Sequence, residues 1–410
     1  MKKKIAMLLV AGMMVTSMAG CGSEKEAETT KTEEAGDNTK EEAEDAVSEE
    51  KTENDTDTAK TDDKKDGYDV ALIISLNGSI DDHSFTQGSW DGIKAFSDET
   101  GKTCQYYQAT DESVNGYSNA IQVAIDNGAE AIVCPGYNYE ETVFEIQDQY
   151  PDVSFILVDG TPHNADYSEY KTADNTYTCL FSEQQAGFLA GYAIVKDGEK
   201  NLGFLGGMMM PAVIRYGYGF VQGADYAAKE MGLSKGDVTV KFGYTGNFDT
   251  SPENQTKAAS WYKDGVTTIF SCGGNIVYSV TAAAEAADGD AHVIGVDVDQ
   301  SSESETIVTS AMKMLSTAIY DELTKWNDGK FEGGENALLG VKEDAVGLPD
   351  DFSRFKTFTK EEYDAIYKDL VDDKDGLLSE MLSNTDENGE EVTLDMVKDK
   401  LDIVEVEEIG

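Results

Sequence analysis

The chain has 410 residues, 40% of them hydrophobic, enough for two or three domains with a buried core. Its 32 Lys and Arg stand against 80 Asp and Glu, a formal net charge of −48. That balance repels phosphate backbones and anionic lipid heads, so nucleic acid is excluded as an expected partner.

Residues 1–20 read as a signal peptide. Lys2, Lys3 and Lys4 precede an apolar stretch from Ile5 to Val15, too short to span a bilayer, and Met18-Ala19-Gly20 leads into Cys21. The ending resembles a bacterial lipobox, with Met18 where Leu is usual, which makes Cys21 the expected site of lipidation. Acyl chains contribute roughly 0.8 kcal/mol per buried CH₂, so the expected link to the membrane is a lipid anchor. A plain secretory signal is the alternative. Residues 22–67 contain no aromatic side chain and are rich in Glu, Asp, Lys, Thr and Ala, the composition of a disordered acidic linker.

From Tyr68 the pattern becomes globular. Strands are predicted at 68–74, 103–108, 131–134 and 154–159, alternating with helices at 84–100, 117–127 and 140–149; Asp82 is placed to cap the first helix. The alternation restarts with helices at 181–196, 211–231, 252–264, 276–288 and 306–326 and strands at 201–207, 238–242, 267–272 and 291–296. Residues 351–410 are acidic, helical over 359–382, and read as an appendage on one lobe. The fold class is α/β: two doubly wound parallel-sheet lobes, one of about 68–180 plus part of 298–326, the other of about 181–297 plus later segments. Such sheets bind ligands beyond the carboxyl ends of their strands. That directs attention to Asp81, Asp82, Gly136, Asp159, Gly206, Gly273 and Asp297.

Cys104, Cys134, Cys179 and Cys272 are scattered without CxxC spacing, so no zinc or redox motif is expected, and buried free thiols are favoured over a disulfide. Gly217 to Gly223 fails as a dinucleotide loop: one residue too many precedes the third glycine, and no strand leads directly into it. There is no phosphate loop of the GxxxxGK[ST] type, and local spacing suggests no catalytic triad. No cofactor, no metal and no catalysis are expected.

Four segments resemble, in order, motifs of the basic membrane protein family of type I solute-binding lipoproteins. Asp81-Asp82-His83-Ser84-Phe85-Thr86-Gln87 is similar to D-D-x-S-F-N-Q, with Thr86 in place of Asn. Gly206 to Pro211 followed by Gly219-Phe220 and Gly223 is similar to G-G-x-x-x-P…G-F-x-x-G. Ile294 to Gln300 is similar to I-G-V-D-x-D-Q, and Thr309 to Lys313 to T-S-x-x-K. The resemblance spans about Tyr68 to Asp321. It implies a type I periplasmic-binding-protein-like fold and a nucleoside bound between the lobes. It also implies delivery to an ABC permease by a monomer tethered outside the cell membrane. Asp81, Trp90, Tyr216, Asp297 and Lys313 fall on implied ligand-contacting positions, with Asp82, Tyr137 and Gly273 as further candidates.

Each residue has a plainer reading. Trp90 and Tyr216, as the rings that sandwich a base, compete with core packing. Asp297, as acceptor from the ribose hydroxyls, competes with a solvated turn or a metal site shared with Asp299. Asp81 competes with a capping role, and Lys313, placed inside the 306–326 helix, with an exposed surface lysine. A sugar or signalling molecule is the alternative ligand, and a surface nucleoside hydrolase the alternative activity.

Overall fold

The computed structural model describes residues 67–410. Its first half alternates β1 (Val70–Ile74), α1 (Phe85–Thr100), β2 (Cys104–Gln108), α2 (Val114–Asp126), β3 (Ala131–Pro135), α3 (Glu140–Ile146), β4 (Ser154–Val158) and β5 (Thr176–Phe181). The second continues with α4 (Glu183–Lys196), β6 (Asn201–Gly206), α5 (Pro211–Glu230), β7 (Val238–Tyr244), α6 (Pro252–Lys263), β8 (Thr268–Cys272), α7 (Ile276–Glu285) and β9 (His292–Asp297). Then follow β10 (Ile307–Lys313), α8 (Leu315–Asn327), β11 (Asn336–Leu339), β12 (Val346–Gly347), α9 (Lys360–Val371), α10 (Leu394–Lys398) and β13 (Val404–Ile409).

Two sheets result. The first runs β11-β5-β4-β3-β1-β2, all parallel; the second runs β12-β10-β9-β8-β6-β7-β13, parallel except for the β10–β12 pair. Position in the sheet explains composition. Central β1 reads Val-Ala-Leu-Ile-Ile and is buried throughout, because helices cover both faces. Edge strand β2 reads Cys-Gln-Tyr-Tyr-Gln and is partly exposed. The chain crosses between sheets three times: after β5, after β10 and after β11. In the second crossing α8 returns to pack on α1, where a Cβ on Gly92 would stand 2.5 Å from the Ser316 carbonyl oxygen.

The helix 181–196 splits at its start: Phe181 ends β5, and α4 begins at Glu183. α4 is apolar on nearly every side and buried accordingly. It meets α5 backbone to backbone: Gly187 and Gly191 face the Tyr216 and Phe220 carbonyls, and Gly219 and Gly223 face those of Gln184 and Phe188. A Cβ at Gly219 would stand 1.9 Å from the Gln184 oxygen, so only glycine fits there.

The helix expected over 306–326 is β10 followed by α8, which changes the setting of Lys313. The C-terminal segment is helical in part, but it also supplies β13, which adds to the edge of the second sheet in parallel with β7. Val404 is buried and Val406 half-buried, while Glu405, Glu407 and Glu408 are exposed.

Candidate functional site

The carboxyl ends of the two sheets meet in one ionic cluster. Asp159, just past β4, and Asp297, ending β9, take left-handed backbone angles, φ 56° and 67°. Aspartate is among the few residues that accept that region, and the sharp turn sets each carboxylate at the tip of its strand. Lys313 ends β10 beside them and is 4% exposed. Its ammonium pairs with Asp159 and lies 3.2 Å from Glu183 Oε1 and 3.6 Å from Asp297 Oδ1. Glu183 opens α4, where the helix N-terminus favours a carboxylate, and it also pairs with Arg215 of α5.

Three carboxylates therefore face two cations out of water. A buried excess of one negative charge is relieved by binding a proton. Burial pushes the Asp159 carboxyl up to about 7, with Glu183 adding to the push and Lys313 opposing it. Burial likewise raises Asp297, against Lys313 and the Ser84 hydroxyl. At Glu183 burial is outweighed by Arg215 and Lys313, which hold it below the usual carboxylate range. Lys313 stays charged, because the surrounding carboxylates overcome the cost of its burial.

The loop after β1 delivers the other lobe's contribution. Asp82 accepts from the backbone N–H groups of Ser84 (2.9 Å), Thr86 (3.1 Å) and Gln87 (2.9 Å), so it caps α1 as expected. So held, the Ser84 hydroxyl donates to Asp297 Oδ2 at 3.0 Å. Gln300 Nε2 donates to the His83 carbonyl at 3.0 Å, and His83 Nδ1 lies 3.1 Å from Glu303 Oε1. These contacts join the two lobes.

Rings line the cluster. The Lys313 ammonium lies 5.0 Å from the Phe85 ring centroid, 5.5 Å from Tyr216 and 5.8 Å from Phe181, within cation–π range. The Tyr216 hydroxyl and Asp159 Oδ1 are buried without a hydrogen-bond partner among the described residues, a costly state that a polar ligand would relieve. In the first sheet the strand order turns between β1 and β3, and Gly136, just past β3, sits beside the Phe85 ring. In the second it turns between β6 and β8, and there Phe248 packs against the glycines that follow them: a Cβ on Gly207 or Gly273 would meet its ring at 2.3 or 2.6 Å. Phe248 is half-buried. Each lobe thus presents one ring at the place where doubly wound sheets bind ligands.

Of the residues singled out in the sequence, the structure brings Tyr216, Asp297 and Lys313 together. Trp90 is not with them; it packs edge-on against Tyr106 of β2 at 5.8 Å. α1 recedes from the strand ends, and five residues beyond Phe85 amount to about 7.5 Å of rise. Asp81 is exposed, its N–H donating to the Ser79 hydroxyl at 3.2 Å. The Asp82 carboxylate is occupied by the helix cap. Tyr137 is half-buried in the turn after Gly136, and Gly273 lies under Phe248. Cys21 falls outside the described residues. Phe85, Phe248, Glu183 and Arg215 were missed, and Asp159 was noted only as a strand-end residue. The signal for Phe248 is an aromatic in a polar loop just past a strand, whereas Phe85 opens α1 and reads as part of a helix face.

Two lobes crossed three times, with charged groups of both meeting at the strand ends, are the build of a two-lobed ligand-binding protein. A solved solute-binding protein from Aeropyrum pernix K1 has the same fold, with a TM-score of 0.60 at 22% identity over 81% of this chain and 90% of that one. The family model described as ABC transporter substrate-binding protein PnrA-like matches residues 69–391, and the chain belongs to that family. Its relatives include the ABC transporter nucleoside-binding protein BmpA of Lactococcus lactis subsp. cremoris, 27% identical over 331 residues, covering 76% of this chain and 88% of that protein. Basic membrane protein D of Borreliella burgdorferi is 27% identical over 294 residues, 71% of this chain and 81% of that one. Membership makes the chain an extracytoplasmic substrate-binding component with a small-molecule ligand and a permease as partners.

Proposed function

We propose that this protein is a lipid-anchored monomer that captures a nucleoside between its lobes and hands it to an ABC permease without chemical change. The observation that carries the reading is the pair of rings, Phe85 and Phe248, one at each switch point, with Phe85 beside a charged cluster whose polar atoms include two without a partner among the described residues. A flat base suits an aromatic ring at each switch point, and a ribose diol suits Asp297, Asp159 and Lys313. The nucleoside-binding relative supports the same ligand class. Closure brings each lobe's donors to the other's carboxylate, and the permease reopens the lobes. Cys21 carries the acyl anchor.

Isothermal titration with inosine, guanosine, adenosine, cytidine and uridine, after unfolding and refolding to strip carried-over ligand, tests the reading. One-to-one binding with no product is the expected result. Phe85→Ala and Phe248→Ala should each weaken it by about one to two orders of magnitude, while Trp90→Ala leaves it near wild type. Silence from all five in a folded sample would overturn the nucleoside reading and favour a sugar or signalling molecule; product formation would make the chain a hydrolase.

A further inference from the structure

One member of the buried cluster is held from outside it. Arg215 gives its Nε to Glu183 and its Nη1 to Asn384 Oδ1 at 3.2 Å. Asn384 lies in the C-terminal stretch beyond α9 and is itself anchored. Its carbonyl accepts from the Val392 N–H at 2.9 Å, Thr385 and Glu391 pair in a short antiparallel bridge, and Oδ1 also accepts from the Ser383 hydroxyl at 3.3 Å. The same stretch is fastened to α5 at two more levels. Gln222 exchanges hydrogen bonds of 2.9 and 2.8 Å with Leu382, and Asp225 accepts from the Ile403 and Val404 N–H groups at 2.7 and 2.9 Å. Only the Asn384 fastening reaches a residue of the ionic cluster.

A guanidinium is a planar fork, so two acceptors at different nitrogens fix its plane where one leaves it free to turn. We propose that Asn384 is a positioning residue for the ligand site: it holds the Arg215 fork against Glu183, and Glu183 holds Lys313 between the two strand-end aspartates. The C-terminal strap thereby sets the affinity of a cleft it does not line. With Asn384 gone, the Arg215 fork keeps only its Nε pair with Glu183 and is free to turn about it, which loosens its hold on Glu183. Arg215 also helps keep the Asp159 carboxyl down, so that carboxyl rises further.

The affinity arm rests on the reading of the cluster as a nucleoside site, so the test pairs it with a ligand-free readout. Three full-length chains are compared: wild type, Asn384→Ala, and Asp225→Asn, which loosens the strap away from the cluster. Inosine affinity is measured by calorimetry, and aspartate carboxyl titration by carbon-13 NMR without ligand. Asn384→Ala should weaken inosine binding roughly three- to tenfold, the scale of a hydrogen bond to a charged group acting at one remove. It should also raise the highest-titrating aspartate by about half a pH unit. Asp225→Asn should lower the melting temperature and leave both readouts at wild-type values. If the two variants shift both readouts alike, or if Asn384→Ala leaves the carboxyl titration unmoved, the strap acts through stability alone and the proposal is wrong. If no chain binds inosine, the nucleoside reading falls, and the carboxyl titration by itself still decides the role of Asn384.

Discussion

At the end of the first sheet Asp159 leaves β4 with φ 56°, and at the end of the second Asp297 closes β9 with φ 67°. The two carboxylates share residue type, backbone twist and place in the fold, but their partners differ. Asp159, in the first lobe, pairs with Lys313 from the second sheet. Asp297, in the second, accepts from Ser84 of the first lobe at 3.0 Å and stands 3.6 Å from Lys313. Each lobe's carboxylate takes a donor from the other. Closing the lobes is therefore what compensates the burial of both groups, and a separated pair would be left to water. One aspartate takes a charge and the other a hydroxyl, so their removal should not be equivalent.

The largest expected effect comes from the shared cation. Lys313→Met leaves Asp159, Glu183 and Asp297 facing Arg215 alone, and breaking a buried pair this way costs about 3–5 kcal/mol. Nucleoside binding should be lost. Asp159 and Asp297 would titrate higher still, so the folded chain would bind more protons than the unfolded one and stability would fall as pH rises. Urea unfolding on both sides of neutrality checks this, with the deficit smaller on the acid side. A cost below about 1 kcal/mol at every pH, with a larger radius by X-ray scattering, would mean that the lobes part and water takes the place of Lys313.

Asp159→Asn separates the two aspartates. The wild-type carboxyl is raised to about 7, so its contribution is fully present below the unfolded aspartate range and lost as pH climbs through about 7. One proton gives a slope of at most about 1.4 kcal/mol per pH unit. The variant should flatten the stability profile in that window, from about pH 4 to 7. A greater flattening by Asp297→Asn would reverse the assignment of the shared proton.

The second lobe's half of the site is mounted on α4 and α5, which carry Glu183 and Arg215, whereas the first lobe's is mounted on a loop. That difference is tested at Gly219, where a methyl group would stand 1.9 Å from the Gln184 carbonyl oxygen. Gly219→Ala should cost about 1–3 kcal/mol by forcing the helices apart, and should weaken binding as Arg215 moves with α5. Unchanged unfolding would show that the pair slides freely and that the mounting is soft.

How far the site could be read from sequence follows the same division. The alternating apolar runs that form β1, β3, β4, β6, β8 and β9 are central strands buried on both faces, and the sequence signals them plainly. β5, with alternating Thr and Tyr, and β10, Ile-Val-Thr-Ser-Ala-Met-Lys, carry weaker patterns, and β10 merges with the helical period of α8. That merger put Lys313 inside a helix instead of at a strand tip. β13 does alternate, but with glutamates inside an acidic stretch, so it reads as surface. In the site, Asp297 is legible because an aspartate ending an apolar strand has few other uses. Trp90 lies off the cluster because five residues along α1 separate it from Phe85 by about 7.5 Å of rise and about 140° of turn, and periodicity alone does not show which face meets the strand ends. Glu183 and Arg215 carry no local signal: their pairing exists only once four glycines let α4 and α5 touch.

The smallest change probes the clasp at Asp297. Ser84→Ala removes one hydroxyl donor and leaves the loop intact, since the Ser84 backbone N–H is held by Asp82 and its carbonyl by Gly88. The hydrogen bond is worth about 1 kcal/mol, or roughly fivefold in affinity. Because the contact is made only between lobes, the loss should appear in the dissociation rate of the ligand, while the unfolding midpoint of the ligand-free chain moves little. A variant that loses affinity through slower association instead would place Ser84 in shaping the entrance, and Asp297 would then be an ordinary buried carboxylate whose hydroxyl partner is incidental to closure.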